Sequence, residues 1–108
     1  MITVTLTRSG ETLRCEFAGH AGYAEKGKDI VCAGVSALYY ALTEGVRQQA
    51  PAAVSVAGTS VTLDLSSAAA AAVSQAVVAG LVSIAAAYPR HLSVRRISGY
   101  TRACPSGI

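Results

Sequence analysis

Twice along this chain the spacing of apolar residues changes from every second position to every third or fourth, and a chain with that rhythm has few ways to bury itself. Ile2, Val4 and Leu6 alternate with Thr3, Thr5 and Thr7; beyond a Ser9-Gly10 turn, Leu13, Cys15 and Phe17 alternate with Arg14 and Glu16. Alternation puts one side of an extended chain in a core and the other in water, so these segments read as a hairpin. Val31, Val35, Leu38, Leu42 and Val46 follow at helical steps, and Pro51 closes that stretch. The cycle then repeats. Val54 and Val56, then Val61, Leu63 and Leu65, flank a Gly58-Thr59-Ser60 turn, and from Ala68 the residues Val73, Val77, Leu81, Ile84 and Tyr88 mark a second helix ended by Pro89. Leu92, Val94 and Ile97 supply a last strand, with a bulge expected near Arg95-Arg96.

The order strand-strand-helix-strand-strand-helix-strand implies an α+β fold: one mostly antiparallel sheet with two helices packed on one face. At 108 residues there is room for one domain with one modest core, expected over 1–98, with 99–108 a loosely ordered tail rich in small residues. A composition 52% hydrophobic and 14% charged excludes a disordered chain and leaves a surface poor in charge, which makes a homodimer the default. The net charge of +3 comes largely from Arg90, Arg95, Arg96 and Arg102. Such residues on a strand and tail are more often a solvated face than a nucleic-acid site. Three cysteines, an odd number, without a basic, apolar leader at Met1–Thr5 suggest a cytoplasmic protein with reduced thiols. Ser74, Gln75 and Ser83 interrupt the alanine-rich stretch, so no membrane span is expected.

Chemistry concentrates in the run from Gly19 to Leu38, GHAGYAEKGKDIVCAGVSAL. Asp29 is a good helix N-cap, which makes Cys32 the third helical residue. At that position unpaired backbone N–H groups and the positive end of the helix dipole favour a thiolate. His20, at the end of the second strand, is a candidate base for it. Between them Gly22 and Gly27 suit a loop that swings as a gate over a peptide. A third group is less defined. The chain has no asparagine, so a papain-like Cys-His-Asn set is excluded. Asp29 either caps the helix or orients His20, and Ser36, one turn below Cys32, lies on the same face. Backbone amides of Cys32 and its neighbours are candidates for an oxyanion hole. Cys15 shares its strand face with Leu13 and Phe17 and reads as core, Cys104 as an incidental tail thiol, and His91 as a surface residue. No spacing suits a metal site, no glycine-rich phosphate loop is present, and no cofactor is expected.

The same run resembles the ribosomal-processing cysteine protease family, Prp, in both halves of its signature. Gly19, His20 and Ala21 match the first half; Gly27, Asp29, Ile30, Val31, Cys32 and Ala33 match the second, with Ser36 and Leu38 continuing down the helix. A looser likeness runs from Met1 to about Ile97 and includes Tyr88-Pro89. The resemblance implies a His20–Cys32 catalytic dyad and removal of a short N-terminal extension from large-subunit ribosomal protein number twenty-seven, cut after paired aromatic residues. A lone cysteine at a helix start is more often a small buried apolar residue. The histidine, the cap and the signature together favour catalysis at Cys32. The rival reading is a non-enzymatic module that docks an arginine-rich strand on ribosomal RNA or a ribosomal protein.

Overall fold

The β-branched residues that alternate with small polar ones at the start of the chain form β1 (Ile2–Ser9) and β2 (Thr12–Ala18), an antiparallel pair in register from Thr3↔Ala18 to Ser9↔Thr12. The chain then runs through α1 (Ile30–Gln49), a short 3-10 turn at Pro51–Ala53, β3 (Val54–Ala57), β4 (Ser60–Asp64), α2 (Ala68–Ala87) and β5 (Leu92–Ser98). A computed structural model describes residues 1–98. The expected tail 99–108, with Arg102 and Cys104, lies outside the described residues.

The sheet order is β3-β4-β2-β1-β5. All neighbours are antiparallel except β1 and β5, which run parallel because α2 carries the chain back before β5 begins. In that parallel pair Ile2 faces Leu92 and Val4 faces Val94, so the apolar residues of both strands lie on the side covered by the helices. The expected bulge near Arg95-Arg96 is absent: the register runs in step from Ile2↔Leu92 to Arg8↔Ser98. On a regular strand the two arginines fall on opposite faces, and both are exposed. As charged residues on an edge strand they discourage further strand pairing. Leu65 lies just past β4, where its N–H donates to the Glu11 carbonyl at 2.7 Å.

Both helices pack on one face of the sheet. Leu42, Leu63, Leu81 and Leu92 are fully buried between the layers, each worth about 1.5–3 kcal/mol relative to exposure. Val31, Val35, Leu42 and Val46 of α1 point at the sheet as the helical spacing requires, and Leu38, at the edge of the same stripe, nests against Gly80 of α2, where a Cβ would meet its side chain at 3.0–3.1 Å. Ser67 caps α2 by accepting from the Ala70 N–H. That helix, with mean hydropathy 1.9, is long and apolar enough for a membrane by length and composition alone. Its apolarity is mostly alanine, and Ala70, Ser74, Val77 and Leu81 are buried against the rest of the fold.

Candidate active site

Beta2 ends at Ala18, and the next four residues are held from two directions. Gly19 has φ +88°, and a Cβ there would overlap the Met1 carbonyl oxygen, so only glycine allows the chain to leave the strand at this angle. Gly19→Ala is therefore expected to cost about 1–3 kcal/mol through backbone strain alone, read as a lower urea midpoint. An unchanged midpoint would mean that the backbone at position 19 leaves its left-handed conformation without cost. After His20, Ala21 is buried, and Gly22 (φ +67°) turns the chain into the loop that returns to α1.

Asp29 is the N-cap of α1, and it does more than cap. One carboxylate oxygen accepts from the N–H groups of Val31 and Cys32 at 3.0 and 2.9 Å, while the other accepts from Tyr23 at 3.0 Å and Ala24 at 3.3 Å. A carboxylate offers about four lone-pair sites, and four donors occupy them, so nothing is left to orient His20. These bonds, the one from Cys32 first, hold the Asp29 carboxyl below the usual aspartate range. One side chain thus fixes the start of the helix and folds the loop back onto it. A further bond from Lys28 N–H to the Glu25 carbonyl (2.9 Å) and a Lys28–Glu25 ion pair tighten the turn around Gly27 (φ +89°).

The cap changes two expectations about the cysteine. Cys32 is the third residue of α1 and half-buried. Its N–H, however, is committed to Asp29, and the Ala33 N–H donates to the Asp29 carbonyl at 3.0 Å. The N–H groups of Val31, Cys32 and Ala33 are therefore not free to form the expected oxyanion hole. The Asp29 charge also offsets part of the field that the helix end would offer to an anionic sulfur. An imidazole partner becomes correspondingly more important.

His20 and Cys32 line the same open cleft of about 420 Å³, together with Ile2, Phe17, Val35, Ser36, Tyr39, Tyr40, Gly58 and Thr59. His20 is exposed at its mouth. Ser36 lies on the wall as its spacing suggests. Gly22 and Gly27 lie in the returning loop, outside the cleft lining. Tyr39 and Tyr40 escaped the sequence reading, although the signal was present: Cys32, Val35, Ser36, Tyr39 and Tyr40 recur at i, i+3, i+4, i+7 and i+8 and share one helix face. Tyr39 meets Phe17 edge-on at 5.2 Å and Tyr40 at 5.1 Å, and its hydroxyl donates to the Gly58 carbonyl at 3.2 Å. The β3–β4 turn is thereby fixed as the far wall of the cleft, opposite the helix.

Two other residues bear on the site. Cys15 is core, as its strand face suggests, and burial pushes its thiol up to about 11. His91 departs from the expected surface position: it is half-buried, and its Nδ1 lies 3.0 Å from the Ala21 carbonyl oxygen. Nothing local marks that contact, which spans seventy residues of chain.

Comparison with known proteins gives a consistent picture. A family model described as cysteine protease Prp matches residues 1–93. The ribosomal processing cysteine protease Prp of Bacillus subtilis (strain 168) is 44% identical over 48 residues, and that matched stretch spans 43% of this chain and 43% of the relative. SMU.848 from Streptococcus mutans has a crystal structure that superposes with TM-score 0.69 at 28% identity, covering 91% of this chain and 95% of its own. The essential ribosomal processing protease Prp from S. aureus, solved with a covalently linked product peptide, gives TM-score 0.69 at 23% identity over 89% of this chain and 99% of that one, a likeness of fold.

Proposed function

This chain belongs to the cysteine protease Prp family, and from that membership we propose that it is a cysteine endopeptidase with Cys32 as nucleophile and His20 as base. The observation that carries this reading is the shared cleft: the single exposed imidazole at its mouth and the half-buried thiol on its wall are the two groups that peptide-bond cleavage by a cysteine needs. His20 takes the Cys32 proton, and the thiolate attacks the scissile carbonyl. His20 then protonates the departing amine, and water hydrolyses the thioester. The Val31, Cys32 and Ala33 amides serve the cap, so stabilising the oxyanion needs donors other than these three.

The substrate we propose is an extended apolar peptide. Tyr39, Tyr40 and Phe17 make the cleft wall aromatic, and among the described residues no Asp, Glu, Lys or Arg belongs to its lining. The names of the relatives point to ribosomal processing, so the reading extends to the N-terminal extension of large-subunit ribosomal protein number twenty-seven, cut after paired aromatic residues. In keeping with reduced thiols and a charge-poor surface, the enzyme is read as a cytoplasmic homodimer. The rival docking module needs its basic residues together, whereas Arg95 and Arg96 fall on opposite faces of β5.

The test is a pair of synthetic precursor peptides, one with the aromatic pair and one with alanines in its place. Burying a large apolar side chain is worth about 1.5–3 kcal/mol, so kcat/KM is expected to fall at least about tenfold for the alanine peptide. Equal rates would overturn the substrate assignment while leaving the protease reading in place. Salt-sensitive RNA binding that survives Cys32→Ala, with no cleavage of either peptide, would favour the rival.

A further inference from the structure

His20 is placed by residues that never touch the reaction, and the most specific of them lies at the other end of the chain. We infer that His91 is a positioning residue: its imidazole holds the backbone that carries His20, through a hydrogen bond to the very next residue. This inference rests on the assignment of His20 as the base.

The post is rigid. The His91 carbonyl accepts from the Ile2 N–H at 2.9 Å, its N–H donates to the Tyr88 carbonyl at 2.9 Å, and Leu92 beside it is fully buried. His91 is thus pinned between the end of α2 and the β1–β5 pair. From there Nδ1 reaches the Ala21 carbonyl oxygen at 3.0 Å. A carbonyl can only accept, so the bond requires the proton on Nδ1, which is satisfied by the Nδ1–H tautomer or by the imidazolium. The loop beyond Ala21 is held by the same group. Tyr23 packs edge-on against His91 at 5.2 Å and against Tyr88 at 5.3 Å, while its N–H is tied to Asp29.

Around His20, then, Gly19 is wedged against the Met1 carbonyl on one side and Ala21 is bonded to His91 on the other. His20 itself is exposed, so packing of its own ring does little to hold it. An exposed imidazole gains its orientation chiefly from its backbone, and loss of one clamp lets the base wander from the sulfur. Misplacement by about 1 Å can cost on the order of a hundredfold in rate. Substrate binding, which depends on the opposite wall, would be little affected.

Two variants separate the hydrogen bond from the ring. His91→Phe keeps an aromatic edge for Tyr23 but has no donor, whereas His91→Asn places an amide N–H near the position of Nδ1. With the aromatic precursor peptide, His91→Phe is expected to lower kcat roughly ten- to a hundredfold with KM within about threefold of the parent, and His91→Asn to recover much of that loss. Imidazole nitrogen spectra of the parent protein should show His91 as Nδ1–H, and the His20 resonances should move in His91→Phe. Unchanged kcat in His91→Phe, or a His91→Asn variant no better than His91→Phe, overturns the inference and leaves the protease reading intact. If the parent protein cuts no peptide, the protease reading fails instead, and the spectra still decide the contact: an Nε2–H tautomer at His91, or His20 resonances indifferent to His91→Phe, overturns it.

Discussion

Cys32→Ala and His20→Ala are each expected to lower kcat/KM for the precursor peptide by at least about 10³-fold while leaving the melting temperature nearly where it was. Both halves of that result follow from position. The dyad reading makes the thiolate the attacking group and the imidazole the carrier of its proton, and neither role has a substitute among the cleft-lining residues: Ser36 lacks a base of its own and the tyrosines are poor nucleophiles. Neither side chain is part of the buried core. His20 is exposed, so its loss is expected to stay within about 0.5 kcal/mol, and Cys32, half-buried against the core, loses only one sulfur and is expected to cost no more than about 1 kcal/mol. A buried structural cysteine would behave in the opposite way, losing stability and keeping whatever activity the protein has. Measurable turnover by either purified variant would sink the mechanism.

Alkylation should separate the thiols by a similarly large factor. Cys15 is 1% exposed and its thiol is pushed up to about 11, so near pH 7 only about one part in ten thousand is thiolate even before access is counted. Cys32 is half-buried in an open cleft that an imidazole also lines. Brief iodoacetamide treatment at pH 6 followed by peptide mapping is expected to label Cys32 at least about a hundredfold faster than Cys15, and faster than Cys104. Because Asp29 offsets part of the helix-end field, the proposed dyad makes His20 the main source of reactivity at Cys32, so His20→Ala is expected to slow labelling of Cys32 and leave Cys15 unaffected. Equal labelling of Cys104 and Cys32 would argue against an activated thiol, and a His20→Ala variant that labels as fast as the parent would place the activation elsewhere.

The glycines of the returning loop belong to the same question of how the two groups meet. Glycine content suggests a gate between Gly22 and Gly27. The loop in this structure is latched, with Asp29 holding Tyr23 and Ala24, and His91 holding Ala21. Swinging the segment between Gly22 and Gly27 has to break the bonds from Tyr23 and Ala24 to Asp29, so the cap and the gate proposed from the glycines draw on the same contacts.

What the sequence determined by itself is whatever depends on neighbours within a turn or a hairpin. Alternation in Ile2–Thr7 and Leu13–Phe17 sets two strands, the spacing from Val31 to Val46 sets a helix face, and Asp29 three residues before Cys32 sets the cap and the place of the sulfur in the first turn. Those effects are short-ranged, and each residue type carries its own geometric preference. Tertiary structure decided the rest. The parallel pairing of β5 with β1, the closing of the cleft by Tyr39 on Gly58, and the contact of His91 with Ala21 join segments far apart in the chain. No local pattern encodes such contacts, because they exist only once the register of the sheet has fixed which ends lie side by side. The same holds for the competition at the helix start. A cap and an oxyanion hole draw on the same amide groups, and it takes the folded loop, with four N–H groups converging on one carboxylate, to decide that the cap takes them.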